Sequence, residues 1–293
     1  MKKQILIVGS GFSGMWAAVS AARLSALAGN NSLSIAVLAP VAELRVRPRF
    51  YEENVSTMVA PLTELFAELG IAFIAGEAQR IDTSSKTVLY RDSNGAIADV
   101  AWERLILATG SQTKRPPVAG LAEYAFDIDQ LDSARLFEQH LDSLVSRPST
   151  PERNTVVVCG GGFTGIELAT ELPARLRTRF GADTKTKVIV VERGATIGGR
   201  YSEALRNTIE EASNVLGVEW RLNSEIEAID ASGVTLKNGE RIASATVVWT
   251  AGVEANLLSL QIDGERDTQG RLIVTDTLQV PAHPEVYATG DMA

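Results

Sequence analysis

Gly160-Gly161-Gly162-Phe163-Thr164-Gly165 is the stretch in which residue type and spacing most directly imply chemistry. Its glycines stand at G-x-G-x-x-G spacing between a β-branched run, Val156 to Val158, and a helix-compatible segment from Ile166 to Arg175. That context is what a backbone cradle for a dinucleotide pyrophosphate requires. Gly160 can take the tight turn, Gly162 lets the main chain approach the phosphates, and Gly165 lets the helix pack closely on the strand. The helix N-terminus adds unpaired N–H groups and a partial positive charge. Glu167, in the first turn of that helix, is a carboxylate at a cleft. Such a carboxylate can be tuned by burial and neighbours for a functional role, and equally reads as an acid stabilised by the helix field. Glu192 closes the unit at the end of the next apolar strand, Val188 to Val191, where an acceptor for ribose hydroxyls belongs. It stands somewhat beyond the usual spacing of about 20 residues.

Three further groups invite a chemical reading. Arg45, Arg47 and Arg49 alternate with Val46 and Pro48. If the segment is extended, as Pro48 encourages, their guanidinium groups point one way and could neutralise a pyrophosphate or another anion; a solvated strand face fits equally. Cys159 ends an apolar strand and reads as a small buried hydrophobe. Arg193 follows Glu192, and the pair pulls in opposite directions: a carboxylate repels a 2′-phosphate and an arginine attracts one.

The elements that must position these residues occur twice. Gln4 to Val8 reads as a buried parallel strand, Gly9-Ser10-Gly11-Phe12-Ser13-Gly14 repeats the glycine spacing, and Met15 to Ala28 is alanine-rich and helical in propensity. The next strand, Ser34 to Leu38, ends in Ala39-Pro40, without the acid. Then Leu69-Gly70, an extended stretch, a short strand at Thr87 to Tyr90, Asn94-Gly95 and Leu105 to Leu107 ending in Ala108-Thr109-Gly110 match Leu216-Gly217, Val218 to Leu222, Val234 to Leu236, Asn238-Gly239 and Val247 to Trp249 ending in Thr250-Ala251-Gly252. Both Asn-Gly pairs are expected in type I′ turns. The chain is therefore read as α/β, a tandem of two Rossmann-like units, each with a β-meander before its final strand. Lys114 to Pro117 is the expected linker, and Ser133 to Val145 has a helical apolar period. Gly270 to Val274 reads as a turn into a strand, and the chain closes on Thr289-Gly290-Asp291.

Composition bounds the function. At 293 residues there is room for about two domains. A net charge of −8 argues against nucleic acid as a partner, since phosphate neutralisation needs a basic surface. There is no apolar run of about 18 residues, so neither a membrane span nor a secretory signal is expected, and the cytoplasm is the default compartment. One cysteine and two histidines without ligand spacing predict no metal site.

Taken together, these motifs resemble the two-dinucleotide-binding flavoprotein superfamily of pyridine nucleotide–disulfide oxidoreductases, over essentially the whole chain. Within it the sequence looks most like the type II NADH dehydrogenases. The resemblance implies FAD held by Gly9, Gly11, Phe12, Ser13, Gly14, the Ala108-Thr109-Gly110 return and Gly290-Asp291, with Asp291 on the ribityl chain. It implies NAD(H) held by Gly160, Gly162, Phe163, Thr164, Gly165, Glu192 and Gly252, with Glu167 at the nicotinamide–flavin contact. Arg47 is carried as a further cofactor-binding candidate. The expected domains are 1–117 for FAD, 118–252 for NAD(H), and 253–293 returning to the first.

The implied reaction is hydride transfer from NADH to FAD, then electron transfer to a diffusible acceptor such as a quinone; NADPH stays open as the donor. No C-x-x-x-x-C pair is present, so a thiol relay is not expected. In the relatives a further C-terminal domain gives dimerisation, the quinone site and membrane-associating helices, and this chain ends before it. A homodimer and attachment to the inner membrane surface are thus carried by analogy alone. Two other readings remain open: a non-catalytic NAD(H)-binding module or truncated redox sensor, and an NAD(P)H oxidase or ferredoxin/rubredoxin-type reductase.

Overall fold

The computed structural model describes residues 3–30, 32–199 and 201–293. The chain divides into two compact units. The first comprises Met1–Arg45, Val59–Gln112 and Val253–Ala293, and the second Val46–Met58 with Thr113–Gly252.

In the first unit β1 (Lys3–Val8), α1 (Phe12–Leu27) and β2 (Leu33–Ala39) form the strand–helix–strand core. β3 (Ala72–Asp82), β4 (Thr87–Asp92) and β5 (Ile97–Ala101) form an antiparallel meander that leads into β6 (Arg104–Leu107). After the second unit the chain returns with β14 (Gln279–Val280) and β15 (His283–Ala288). The sheet order is β14-β15-β6-β1-β2-β3-β4-β5, parallel from β15 through β3. Parallel strands are covered on both faces, which is why Ile5 to Val8 of β1 form a continuous apolar run. Leu6 and Val8 pack with Leu38, Leu105, Leu107 and Val286 on one face, and Ile7 with Met15, Ala18, Ala22 and Phe66 on the other.

In the second unit α2 (Leu131–Leu144) precedes β7 (Thr155–Cys159), α3 (Phe163–Phe180), β8 (Lys187–Val191), α4 (Glu203–Leu216) and β9 (Val218–Arg221). The meander β10 (Ile226–Asp230), β11 (Gly233–Leu236) and β12 (Arg241–Ala243) then leads to β13 (Thr246–Trp249). A two-residue strand, Ala125–Phe126, completes an all-parallel sheet in the order Ala125–Phe126, β13, β7, β8, β9. This is the order of the first unit's parallel core, so the tandem α/β architecture expected from the repeat is the one observed.

The structure differs from the sequence reading in several details. Gly95 and Gly239 have φ of +84° and +87°, but Asn94 and Asn238 are not in the left-handed region. The turns are therefore type I with a glycine bulge, closed by Gly95 N–H to Asp92 O and Gly239 N–H to Leu236 O. Arg47–Arg49 is a short 3₁₀ turn, not an extended strand. Proline is accommodated because a first helical turn needs neither its N–H nor a φ far from −65°. Gly270 to Val274 forms only an isolated bridge, Leu272 to Arg266. The first domain, expected over 1–117, surrenders Val46–Met58 to the second unit, with Phe50, Val55 and Met58 buried. Among the described residues no helix is long and apolar enough to cross a membrane, and no cluster of potential metal ligands is found.

Candidate functional site: two glycine loops

The two glycine loops share one backbone solution. Gly9 and Gly160 have φ of +108° and +114°, a region L side chains avoid. A Cβ on Gly14 would lie 2.0 Å from Gly9 O, and one on Gly165 would lie 1.9 Å from Gly160 O. The third glycine therefore sets how closely each helix approaches its own loop. At Gly11 and Gly162 a Cβ would meet nothing within 4 Å. Both are N-cap residues with extended backbone, and neither helix has a side-chain cap. The first-turn N–H groups of both helices thus face open space beside a residue without a side chain, a geometry that accommodates a pyrophosphate.

In the first unit the structure brings the motif residues together. A Cβ on Gly9 would strike Ala108 O at 2.3 Å, and one on Gly290 would meet Ser13 Oγ at 2.7 Å. Thr109 Oγ1 donates to Met292 Sδ at 3.0 Å, and Ser111 Oγ donates to Asp291 Oδ2 at 2.7 Å. Gly110 takes a positive φ at the turn that follows β6. Ala108, Thr109, Gly110, Gly290 and Asp291 therefore assemble around the Gly9–Gly14 loop, and the exposed Asp291 is oriented by Ser111, a residue the sequence reading passed over.

In the second unit Glu192 binds the loop itself. Its Oε2 accepts the Gly161 N–H and its Oε1 the Gly194 N–H, both at 2.7 Å. Each carboxylate oxygen keeps a second lone pair, so ribose hydroxyls can still be accepted. Thr250 Oγ1 lies 3.1 Å from both Cys159 O and Gly160 O and braces the loop from β13. A Cβ on Gly160 would touch Ala251, next to Gly252, whose carbonyl accepts Lys114 N–H at 3.0 Å. Phe163 and Thr164 are exposed at the helix start, and the Phe163 ring lies 4.2 Å from that of Tyr201.

The position occupied by Gly161 is occupied by Ser10 in the first unit. Ser10 Oγ lies 3.2 Å from Val41 O and 3.1 Å from Glu43 O, so a hydroxyl donor ties the loop to the chain after β2. In the second unit a carboxylate acceptor makes the corresponding tie. Ser10 with Ala39 and Gly161 with Glu192 are thus reciprocal solutions, legible only when the repeats are aligned position by position.

Glu167 is half-buried on α3. Burial first, and the Glu52 carboxylate second, push its pKa above the ordinary glutamate value. Glu52 itself is held low by its hydrogen bond to Arg49 and stays charged. The Tyr51 phenol is raised by burial and by Glu167. The three arginines do not converge on one anion: Arg45 pairs with Glu43, Arg47 with Asp129 and Arg49 with Glu52. Burial pushes the Cys159 thiol up to about 12, which leaves it protonated and inert.

The family model for pyridine nucleotide-disulphide oxidoreductases matches residues 3–293. The chain belongs to the pyridine nucleotide-disulphide oxidoreductase family. This member shares 39% identity with an NADH dehydrogenase-like protein of Mycobacterium tuberculosis, over 99% of this chain and 72% of the relative. It shares 29% with a demethylphylloquinone reductase of Synechocystis, over 100% and 72%. Its fold matches that of NDH2 from Plasmodium falciparum, solved in complex with NADH, with a TM-score of 0.85 at 17% identity, over 100% of this chain and 64% of that one. The 293 residues hold a single cysteine, Cys159, and so do not themselves supply the thiol pair a disulfide relay needs.

Proposed function

We propose that the chain is an FAD-dependent NADH dehydrogenase of the NADH:quinone oxidoreductase type. The observation that carries this reading is the pair of glycine loops, each with its open second glycine and uncapped helix N-terminus. FAD held there would supply two-electron chemistry, accepting a hydride from NADH and donating electrons to a diffusible acceptor, for which a quinone is the choice. The Gly9–Gly14 loop and the first turn of α1 hold the FAD diphosphate, and Asp291, oriented by Ser111, hydrogen-bonds the ribityl hydroxyls. The Gly160–Gly165 loop and the first turn of α3 hold the NADH diphosphate. Glu192 accepts the adenosine ribose hydroxyls and, as a fixed negative charge, disfavours a 2′-phosphate. Glu167 would face the nicotinamide, and its raised proton affinity suits it to hold or move a proton there.

An anaerobic absorbance spectrum of the chain reconstituted with FAD, before and after one equivalent of NADH, tests this. The expected result is a protein-bound flavin band that bleaches on NADH addition and recovers with a quinone. A protein that binds NADH but retains no flavin would instead be a nucleotide-binding module. Recovery with dioxygen or an iron–sulfur or rubredoxin carrier, and not with quinone, would assign an oxidase or a carrier reductase.

A further inference from the structure

Glu167, Glu171, Arg175 and Arg179 recur every four residues along α3 and so line one face. The Val46–Met58 segment, which departs from β2 in the first unit yet belongs to the second, follows that face. Arg179 hydrogen-bonds Glu53 and Asp142, and Arg175 Nη1 donates to the Tyr51 carbonyl at 2.6 Å. Asn54 N–H donates to Glu138 Oε1 at 2.6 Å. The second 3₁₀ turn of the segment, Val55–Thr57, packs against α2.

Arg175 is the member of this stripe that stability alone does not explain. Its side chain is 1% exposed, and its Nε and Nη2 make no hydrogen bond. They stand 3.9 Å from Glu53 and 3.8 Å from Glu138, with the guanidinium 5.5 Å from the Phe137 ring centroid. Burying an arginine with two unsatisfied nitrogens is costly, and an apolar side chain of similar volume would pack there at least as well. What an apolar side chain could not do is hold a backbone carbonyl and two carboxylates in one planar fork.

We infer that Arg175 is a positioning residue: through the Tyr51 carbonyl, Glu53 and Glu138 it fixes the Val46–Met58 strap along α3, and so keeps Tyr51 and Glu52 beside Glu167, two turns away on the same face. The catalytic consequence rests on the role given above to Glu167. The Glu167 carboxylate feels the Glu52 charge from the strap, Glu52 is itself paired to Arg49, and Glu167, Glu52 and Glu171 together act on the Tyr51 phenol. With the strap in place, the Glu52 carboxylate adds to the burial that raises the proton affinity of Glu167. With the strap released that contribution would be lost, and the proton affinity of Glu167 would fall toward that of a free glutamate.

The test compares full-length wild type, Arg175→Met, Arg175→Lys and Glu53→Gln by two measurements that need no dinucleotide. Amide hydrogen exchange follows the strap, and the Glu167 carboxyl is titrated by ¹³C NMR of protein labelled at the glutamate side-chain carboxyl, assigned with Glu167→Gln. In Arg175→Met, exchange over Tyr51–Met58 is expected to rise at least about tenfold while α3 stays protected. The Glu167 titration is expected to fall toward the ordinary glutamate value, with Arg175→Lys between the two. Glu53→Gln alters only the strap's side of the pairing and must move both readouts the same way, so it decides the matter if Arg175→Met does not fold. Exchange that rises uniformly through the second unit, or a Glu167 titration unmoved by a loosened strap, overturns the inference. A wild-type protein that binds no NADH would count against the dehydrogenase reading while leaving these two readouts intact.

Discussion

Glu192 Oε2 accepts the main-chain N–H of Gly161 at 2.7 Å, so the acid at the end of β8 is part of the glycine loop's own hydrogen bonding. A Cβ on Gly161 would lie 2.9 Å from Trp220 Cζ3 and 3.1 Å from Glu192 Oε2. Gly161→Ala is therefore expected to displace Glu192 and weaken NADH binding about tenfold, roughly 1.4 kcal/mol, while leaving FAD binding unchanged. Glu192→Gln should lose a similar amount and narrow the preference for NADH over NADPH, since the charge that repels a 2′-phosphate is gone. Titrating nucleotide fluorescence against both variants checks this; an unchanged Kd in each would remove Glu192 from the binding site.

Gly11 and Gly14 separate binding from folding. Alanine at Gly14 would place Cβ 2.0 Å from Gly9 O and force α1 off its loop, at a cost of about 3 kcal/mol or more. Alanine at Gly11 meets no atom within 4 Å and should change stability by less than about 1 kcal/mol. Its methyl group would nevertheless stand where the main chain must approach a diphosphate, lowering FAD affinity by at least about tenfold. Melting curves with and without FAD discriminate the two: Gly14→Ala lowers the apo Tm, and Gly11→Ala removes only the FAD-induced rise.

Cys159 is 1% exposed, with its thiol pushed up to about 12. Iodoacetamide at pH 8 should leave it unmodified in the native protein and alkylate it after denaturation, as intact-mass spectrometry would record. Cys159→Ala should cost only about 1 kcal/mol of stability and leave NADH oxidation as in wild type. Loss of electron transfer in this variant would restore a thiol role that its burial denies.

His140 on α2 hydrogen-bonds Thr246 Oγ1 at 2.9 Å and lies 4.4 Å from the Phe126 ring. Burial, and then Arg147, lower its pKa in the folded state. The unfolded chain therefore binds more protons below about pH 6.5, and folded-state stability should fall as pH drops through that value, levelling off once the folded imidazole is also protonated. His140→Gln, which preserves a hydrogen-bonding side chain, is expected to have a flatter stability profile between pH 7.5 and 5. Urea denaturation across that range measures the difference, and parallel profiles would rule the histidine out as its source.

The sequence by itself determined the tandem. Apolar parallel strands, glycine spacings that tolerate only one backbone path, and a meander before each final strand are local signals, and they repeat in the same order. The positions of Gly9, Gly160, Glu192 and Asp291 followed from them, because each sits at a fixed offset from a strand end. Tertiary structure decided the rest. Nothing local marks Val46–Met58 as part of the second unit; it is held there by Arg175, Arg179 and Glu138, more than 80 residues away in sequence. The alternating arginines looked like one anion site because strand periodicity would align them. The 3₁₀ turn and three separate carboxylates, Glu43, Asp129 and Glu52, divide them instead. Offsets along a strand or helix can be counted in a sequence, whereas the partner of a buried charge is chosen by which distant carboxylates and carbonyls share its low-dielectric surroundings once the chain has folded.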